Sequence, residues 1–409
     1  MLSEPKPIRD YCLGIYDGPH ATPAETDAGP YFLGIKNITE DGRLDFSDPR
    51  YVSEAEFPKW TRRVTPTAGD VVFTYEATLH RYALIPDDFR GCLGRRVALV
   101  RPDPAKADSR FLLYYFLSQA WRSVVESNVI SGATVDRIPL ERFPQFPVVL
   151  PELARQRAIA EVLAQYDELI NNNRRRIKLL EDSVRLVFDE WFVRLRFPGH
   201  EDRTLVDGVP DGWRQGTVGS VVRGLEDGDW IESKDQGGDD FRILQISNIG
   251  RNEFRETGNF RYITEETFSR LRCREVTPGM IVVARMPTPI GRAMMVSDMP
   301  WRMVTAVDVA IIEPDDARVD RHYLLYHLNS DANLARCEGL TVGATRPRVT
   351  RRNLAELPLL IPDKATQSAF RALAADVLAQ RVTLSRQIDK LTAARDLLLP
   401  RLMSGERTI

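Results

Sequence analysis

Tyr31-Phe-Leu-Gly-Ile-Lys-Asn-Ile38 reappears 211 residues later as Arg242-Ile-Leu-Gln-Ile-Ser-Asn-Ile249. The rest of the chain falls into nearly the same register around this pair. Phe111-Leu-Leu-Tyr114 returns as Tyr323-Leu-Leu-Tyr326, and Gly132-Ala-Thr134 as Gly343-Ala-Thr345. Pro147, Pro151 and Gln156 return as Pro358, Pro362 and Gln367. An offset that barely drifts over separated segments marks a duplication. Residues 1–198 and 205–409 therefore encode two similar modules related by pseudo-symmetry.

Each copy has two parts. The first, at residues 1–146 and 205–357, consists of short β-branched and aromatic runs punctuated by Gly, Pro and Asp. Asp70-Val-Val-Phe-Thr-Tyr75, Val97–Val100, Ile281–Ala284 and Val309–Ile312 read as strands, while the apolar spacing of Phe111–Ser127 and Tyr323–Glu338 predicts helices. These are mixed α+β modules with long loops, and long loops in compact domains are often functional.

The second part, at 147–198 and 358–409, differs in kind. From Glu152 to Phe197 there is neither Gly nor Pro, which permits one helix of roughly 60 Å at 1.5 Å per residue. Apolar residues fall on a heptad in two series. Leu163, Ile170, Ile177, Val184 and Trp191 form one; Ile159, Tyr166, Asn173, Leu180 and Val187 form the other. The second copy keeps Phe370, Val377, Leu384, Leu391 and Leu398 but places Arg381 and Arg395 in its other series, and Pro400 and Gly405 are expected to end it. A single apolar stripe on a long helix has to be buried, and the other copy is the nearest candidate. The expectation is an antiparallel coiled-coil pair with Asn173 at the seam, where a buried Asn sets register.

Composition bounds the rest. A chain of 409 residues with 43% hydrophobic and 28% charged residues is an ordinary globular protein of more than one domain. No apolar run approaches the length of a membrane span, the first residues have no signal core, and a cytoplasmic location is expected. Cys12, Cys92, Cys273 and Cys337 lie far apart, which argues against a zinc site or a disulfide frame. The net charge of −2 neither supports nor excludes nucleic acid, so a reader of DNA would need a local basic face.

No catalytic constellation emerges. There is no phosphate-binding Gly-rich loop, no dinucleotide fingerprint, and no Asn-Pro-Pro-aromatic segment of the kind amino-methyltransferases share. The five histidines lack metal-ligand spacing. Asp211 with Glu232-Ser-Lys234 matches the loose acid, acid-x-Lys pattern of metal-dependent nucleases, in which carboxylates hold Mg²⁺ and the lysine polarises a phosphate. The first half lacks that pattern, and Pro210-Asp-Gly-Trp213 reads equally well as a domain-entry turn.

What remains is a concentration of basic and polar side chains in the loops. In the first module these are Arg62, Arg63, Tyr75, His80, Arg81, Arg95, Arg96, Thr134 and Arg137; in the second, Arg285, Thr288, Arg292, Arg302, Thr345, Arg346 and Arg348. Arginine presents a planar fork that pairs with guanine or phosphate, and cationic loops neutralise the DNA backbone. The Gly-Ala-Thr loops let backbone approach a ligand closely, though a packing turn explains them as well.

The layout resembles the specificity subunit of type I restriction-modification systems along essentially the whole chain. The resemblance is carried by Pro147-Val-Val-Leu-Pro151, Gln156-Arg-Ala-Ile-Ala-Glu-Val-Leu163, Asp167-Glu-Leu-Ile170 and Ile177-Lys-Leu-Leu180, with a fainter copy from Pro358 to Gln367. Pro210-Asp-Gly-Trp213 is similar to the usual opening of a target-recognition domain, and Asp17-Gly-Pro-His20 to a recurrent early turn. Arg155 and Thr366 stand where the family has Glu, and the first half lacks the Pro-x-Gly-Trp opening. The resemblance implies an α+β fold with two pseudo-symmetric target-recognition domains and two long spacer helices in an antiparallel coiled coil. It implies a non-catalytic DNA reader, each domain taking half of a bipartite asymmetric site. Its partners would be double-stranded DNA, two modification (methyltransferase) subunits docked on the helices, and restriction subunits. S-adenosylmethionine, Mg²⁺ and ATP would belong to those partners. The competing expectations are a DNA reader of another methylation or phage-defence system, the nuclease, and a scaffold without DNA contact.

Overall fold

The structure, a computed structural model, describes residues 4–132 and 135–404. It comprises two compact units: unit 1 is Met1–Arg174 with Ser385–Ile409, and unit 2 is Arg175–Leu384. Both long helical segments are thus divided between the units.

In unit 1, strands β1 (Cys12–Asp17), β2 (Thr26–Leu33), β3 (Val71–Thr74), β4 (Tyr82–Leu84), β5 (Gly91–Leu93) and β6 (Val97–Pro102) make two sheets. One is four-stranded and antiparallel in the order β1-β6-β3-β4; the other is the parallel pair of β2 and β5. In unit 2, β7 (Val222–Asp227), β8 (Phe241–Leu244), β9 (Ile281–Ala284), β10 (Ala293–Met295), β11 (Arg302–Thr305) and β12 (Val309–Pro314) repeat the plan as β7-β12-β9-β10 and a parallel β8–β11 pair. Even the irregularity recurs, between Cys12 and Gly14 on β1 and between Val222 and Gly224 on β7.

The central strands read as unbroken apolar runs because both of their faces are buried. Val71 and Phe73 enter the core shared with the helices, whereas Val72 enters a second core with Val97 and Leu99. Ile281 and Val283 divide from Val282 and Ala284 in the same way.

The helices expected at 111–127 and 323–338 are each broken in two: α1 (Ser109–Leu117) and α2 (Gln119–Glu126), then α3 (Arg321–Leu328) and α4 (Asp331–Gly339). A serine makes each break. Ser118 Oγ accepts from Trp121 N–H and Ser330 Oγ from Asn333 N–H, capping the second helix.

The first long helix runs Leu153–Phe188 and closes with a π-helical turn at Asp189–Val193, short of the expected Phe197. Phe192 there lies edge-on to Tyr323 and Phe370, at centroid distances of 4.7 and 5.1 Å, and Leu195 turns left-handed at φ 57°. The second long helix, Lys364–Ser404, continues through Pro400 instead of ending there, because Leu399 and Leu402 are buried in the unit 1 core. Gly405 lies outside the described residues.

Within unit 1 the two helices run antiparallel: Asp167 meets Arg395 at 2.7 Å and Asn173 Nδ2 donates to Gln387 at 3.3 Å. Within unit 2 Glu181 faces Arg381 at 3.5 Å, and Phe188 packs on Phe370. Ile159, Leu163, Ile170, Asn173, Val184, Phe370, Val377 and Leu384 are buried, while Tyr166, Ile177, Leu180, Leu391 and Leu398 are half-buried. Arg381 and Arg395, the charged members of the second helix's other series, are each ion-paired within the seam.

The repeated glutamines explain the repeated prolines. Gln156, fully buried, accepts from Asp108 N–H (2.9 Å) and donates to the carbonyls of Lys106 and Pro151. Gln367 accepts from Asp320 N–H and donates to Pro362 O, both at 2.6 Å. In each unit one side chain ties the start of a long helix to the capped start of α1 or α3.

Candidate nucleic-acid interface

In unit 1 the pairing of Asp17 with Ala98 and of Thr74 with Val97 brings three loops to one end of the four-stranded sheet. A fourth joins through Ile138 N–H, which donates to Tyr75 O at 2.7 Å, and through the bridge between Glu76 and Arg137. Arg63, Tyr75, His80, Arg81, Arg95, Arg96 and Arg137 therefore gather at this rim, with Arg62 exposed beside it. Thr134 lies outside the described residues.

Asp17 pairs with Arg63 (2.5 Å) and with His20 Nε2 (3.1 Å). Tyr75 is buried, its hydroxyl lies 3.5 Å from His20 Nδ1, and burial raises its pKa. Glu76 holds Arg96 at 2.8 Å. Burial and the Arg122 charge lower the His80 pKa, against the pull of Glu126. Arg62 and Arg95 are exposed and have no side-chain partner among the described residues.

The equivalent rim of unit 2 surrounds a groove of about 810 Å³ whose walls include Asp229, Trp230, Arg261, Thr345, Arg346 and Arg348. Trp230 is 69% exposed. Burial pushes the Asp229 carboxyl up to about 6, although Arg274 N–H donates to it. Arg348 reaches Asp308 at 3.5 Å, and Arg346 is exposed. Thr288 is exposed on the β9–β10 loop, before a cis Pro289. Arg302 is not brought to this rim: it lies at the far end of β11, 4.0 Å over the Phe241 ring and paired with Glu265 and Glu275.

Three arginines named from sequence are occupied by the fold. Arg81 donates to Ile38 O at 3.3 Å, and Arg292, its counterpart 211 residues on, donates to Ile249 O at 2.6 Å. Both thereby brace the hairpin loop against the repeated Asn-Ile segment, whose Asn37 and Asn248 are buried and bond their own loops. Arg292 also binds the carbonyls of Ile246, Pro287 and Pro289 and is buried. Arg285 is buried too, bonded to Val349 O and to the Asp227 carboxylate. Arg292 spends all three of its nitrogens on backbone carbonyls, and Arg81 and Arg285 are engaged in part, so these side chains shape the rim.

The nuclease reading finds no support. Glu232 is exposed and pairs with Lys234 at 2.8 Å and with Trp230 Nε1 at 3.2 Å. Among the described residues no three His, Cys, Asp or Glu side chains gather as metal ligands, so Asp211 and Glu232 belong to no such group. Conversely, Trp230 and Arg261 were passed over in the sequence. Trp230 occupies the place of His20 in the turn after the first strand, where Cys12–Asp17 and Val222–Asp227 align at an offset of 210 rather than 211.

Residues 40–182 match the family model described as the type I restriction modification DNA specificity domain. The MjaIX specificity subunit of Methanocaldococcus jannaschii, a type I restriction enzyme subunit, is 20% identical over 87% of this chain and 82% of its own length. The putative MjaX specificity subunit of the same organism is 20% identical over 90% of this chain and 84% of its own. The solved type I restriction-modification S subunit from M. genitalium shares the fold, with TM-score 0.52 and 15% identity over 97% of this chain and 95% of that one. With its duplicated sheets and paired long helices, the chain is similar to the specificity subunits of type I restriction-modification systems.

Proposed function

We propose that this chain is the DNA sequence-recognition subunit of a type I restriction-modification complex, in which each unit reads one half of a bipartite, asymmetric site. One observation carries the reading: the same sheet end is built twice, on the same backbone plan, and furnished with different side chains. At matched positions unit 1 has His20, Tyr75 and Arg95-Arg96 where unit 2 has Trp230, Arg285 and Val307-Asp308. Duplicated scaffolds with dissimilar contact residues suit two dissimilar half-sites. Cationic side chains position such a reader on phosphates, and a few forks or apolar tips select bases.

The chain itself performs no chemistry in this reading. Methylation and cleavage, with S-adenosylmethionine, Mg²⁺ and ATP, belong to modification and restriction subunits in the cytoplasm. Two modification subunits dock on the long helices. Leu179, Leu186 and Val193, seven residues apart and about 60% exposed, give such a partner an apolar stripe.

Methylome sequencing of a host expressing this chain with its modification partner tests the proposal. The expected product is one interrupted motif with two unlike halves. A palindromic motif, or methylation without sequence preference, would sink it.

A further inference from the structure

Resting on that base-reading role, we propose that Arg95 and Val307 are matched specificity-determining positions. Arg95 takes a guanine in the half-site of unit 1, and Val307 takes the 5-methyl group of a thymine at the corresponding place of the other half-site.

The turns that carry them are one object built twice. In unit 1, Gly94 N–H donates to Leu33 O (2.7 Å), Val97 N–H to Gly94 O (3.3 Å), Gly18 N–H to Val97 O (2.9 Å) and Tyr75 N–H to Arg96 O (3.2 Å). In unit 2, Ala306 N–H donates to Leu244 O (3.1 Å), Val309 N–H to Ala306 O (2.9 Å), Gly228 N–H to Val309 O (2.7 Å) and Arg285 N–H to Asp308 O (3.0 Å). The neighbouring loop closes tightly on each turn. A Cβ on Gly18 would lie 2.4 Å from Gly94 O, and one on Gly228 2.2 Å from Ala306 O. Each turn is therefore held from three sides, and a side chain at its apex is presented on a rigid stand.

The apex differs. Arg95 is exposed and has no partner among the described residues, while Arg96 beside it, at φ 69°, is held by Glu76. Val307 lies half-buried in the wall of the unit 2 groove, and Asp308 faces Arg348. In the major groove a guanidinium fork matches guanine O6 and N7, and an apolar side chain matches the thymine methyl. A phosphate contact by Arg95 would add affinity without sequence information.

The test uses the complex of this subunit with its modification partner, assayed for binding across single-base variants of both half-sites and at several salt concentrations. Arg95→Val is expected to lower discrimination at one guanine of one half-site by roughly ten- to a hundredfold and to leave the other half-site unchanged. Arg95→Lys, which keeps the charge but lacks the fork, should lose the same discrimination while the salt dependence stays near wild type. Val307→Arg should abolish a thymine preference in the other half-site alone. Uniform weakening by Arg95→Val, with a changed salt slope and unaltered base preference, would make Arg95 a phosphate contact and overturn its assignment. Unaltered preferences in the Arg95→Val and Val307→Arg complexes would overturn the pair. A wild-type complex without any base preference would instead remove the base-reading role itself, and this assignment with it.

Discussion

His327 stands where unit 1 has Tyr115, whose hydroxyl accepts from Val149 N–H at 3.1 Å. The imidazole instead packs 6.3 Å from the Tyr323 ring with its Nε2 buried and without a partner. Burial pushes its pKa down to about 4; the Arg336 charge adds to this, and a backbone contact at Pro358 opposes it. An unfolded histidine titrates near 6.5, so between those values the unfolded chain holds a proton that the folded chain refuses. The depressed value means full stability above pH ~6.5 and a loss as pH falls toward 4, at up to about 1.4 kcal/mol per pH unit. Thermal unfolding of wild type and His327→Gln at pH 7.5 and 5.0 checks this: the midpoint should fall less on acidification in the variant, and equal falls would contradict it. The arginines teach a related lesson about reading single residues. Arg81 and Arg292 looked like DNA contacts because they are cationic and lie in loops. Their recurrence at the 211 offset marked them as scaffold, since both bind the carbonyl of the repeated isoleucine. The positions that fail to repeat, such as Arg95 and Val307, are where the two copies are free to differ.

Among the elements, strands and long helices were legible and their ends were not. The apolar runs at Val71–Thr74 and Ile281–Ala284 are strands as read, because both faces of each sheet are covered and no competing period exists. The break at Ser118 was hidden because apolar spacing continues across it while one hydroxyl diverts the backbone. Pro400 misled for the opposite reason: the buried Leu399 and Leu402 outweigh the hydrogen bond that proline removes. In the paired helices, polar residues hid in plain view as interruptions of a heptad. Arg395 holds Asp167, to which Tyr114 of α1 also donates at 2.5 Å, so the pair is locked from three elements. Such a network fixes register more than it adds stability, because burying charge costs nearly what pairing returns. Arg395→Met alone, which strands the carboxylate, should therefore destabilise by about 1–3 kcal/mol, and adding Asp167→Leu should restore most of the loss. A double-mutant cycle in urea reads the coupling. Additive effects would mean that the pair does not act as a unit.

At the scale of the whole molecule, the chain is duplicated in sequence but its compact units do not coincide with the copies. The unit 2 core, from Val184 through Tyr323 to Val377, draws only on residues of the continuous segment Arg175–Leu384. The unit 1 core draws Ile159 and Leu163 from the first long helix and Leu399 and Leu402 from the distant second one. The repeat announced two modules, but only the antiparallel pairing of helices from different copies determines which residues complete each core. Contact between residues more than two hundred apart leaves no local signal. Unequal autonomy follows. A fragment of residues 175–384 contains its core and its own part of the helix pair, and it should unfold cooperatively in urea with a single transition. A fragment of residues 1–174 lacks Leu399, Leu402 and the Arg395 partner of Asp167 and exposes Ile170 and Asn173 at its seam. It should bind the dye ANS and lose amide protection, and a peptide of residues 364–404 added in trans should suppress the ANS binding and restore the protection. The measurement is hydrogen exchange on each fragment with and without the peptide. A cooperatively folded 1–174 fragment that ignores the peptide would show that the second helix is not part of that unit's core, and the antiparallel pairing would lose its structural role there.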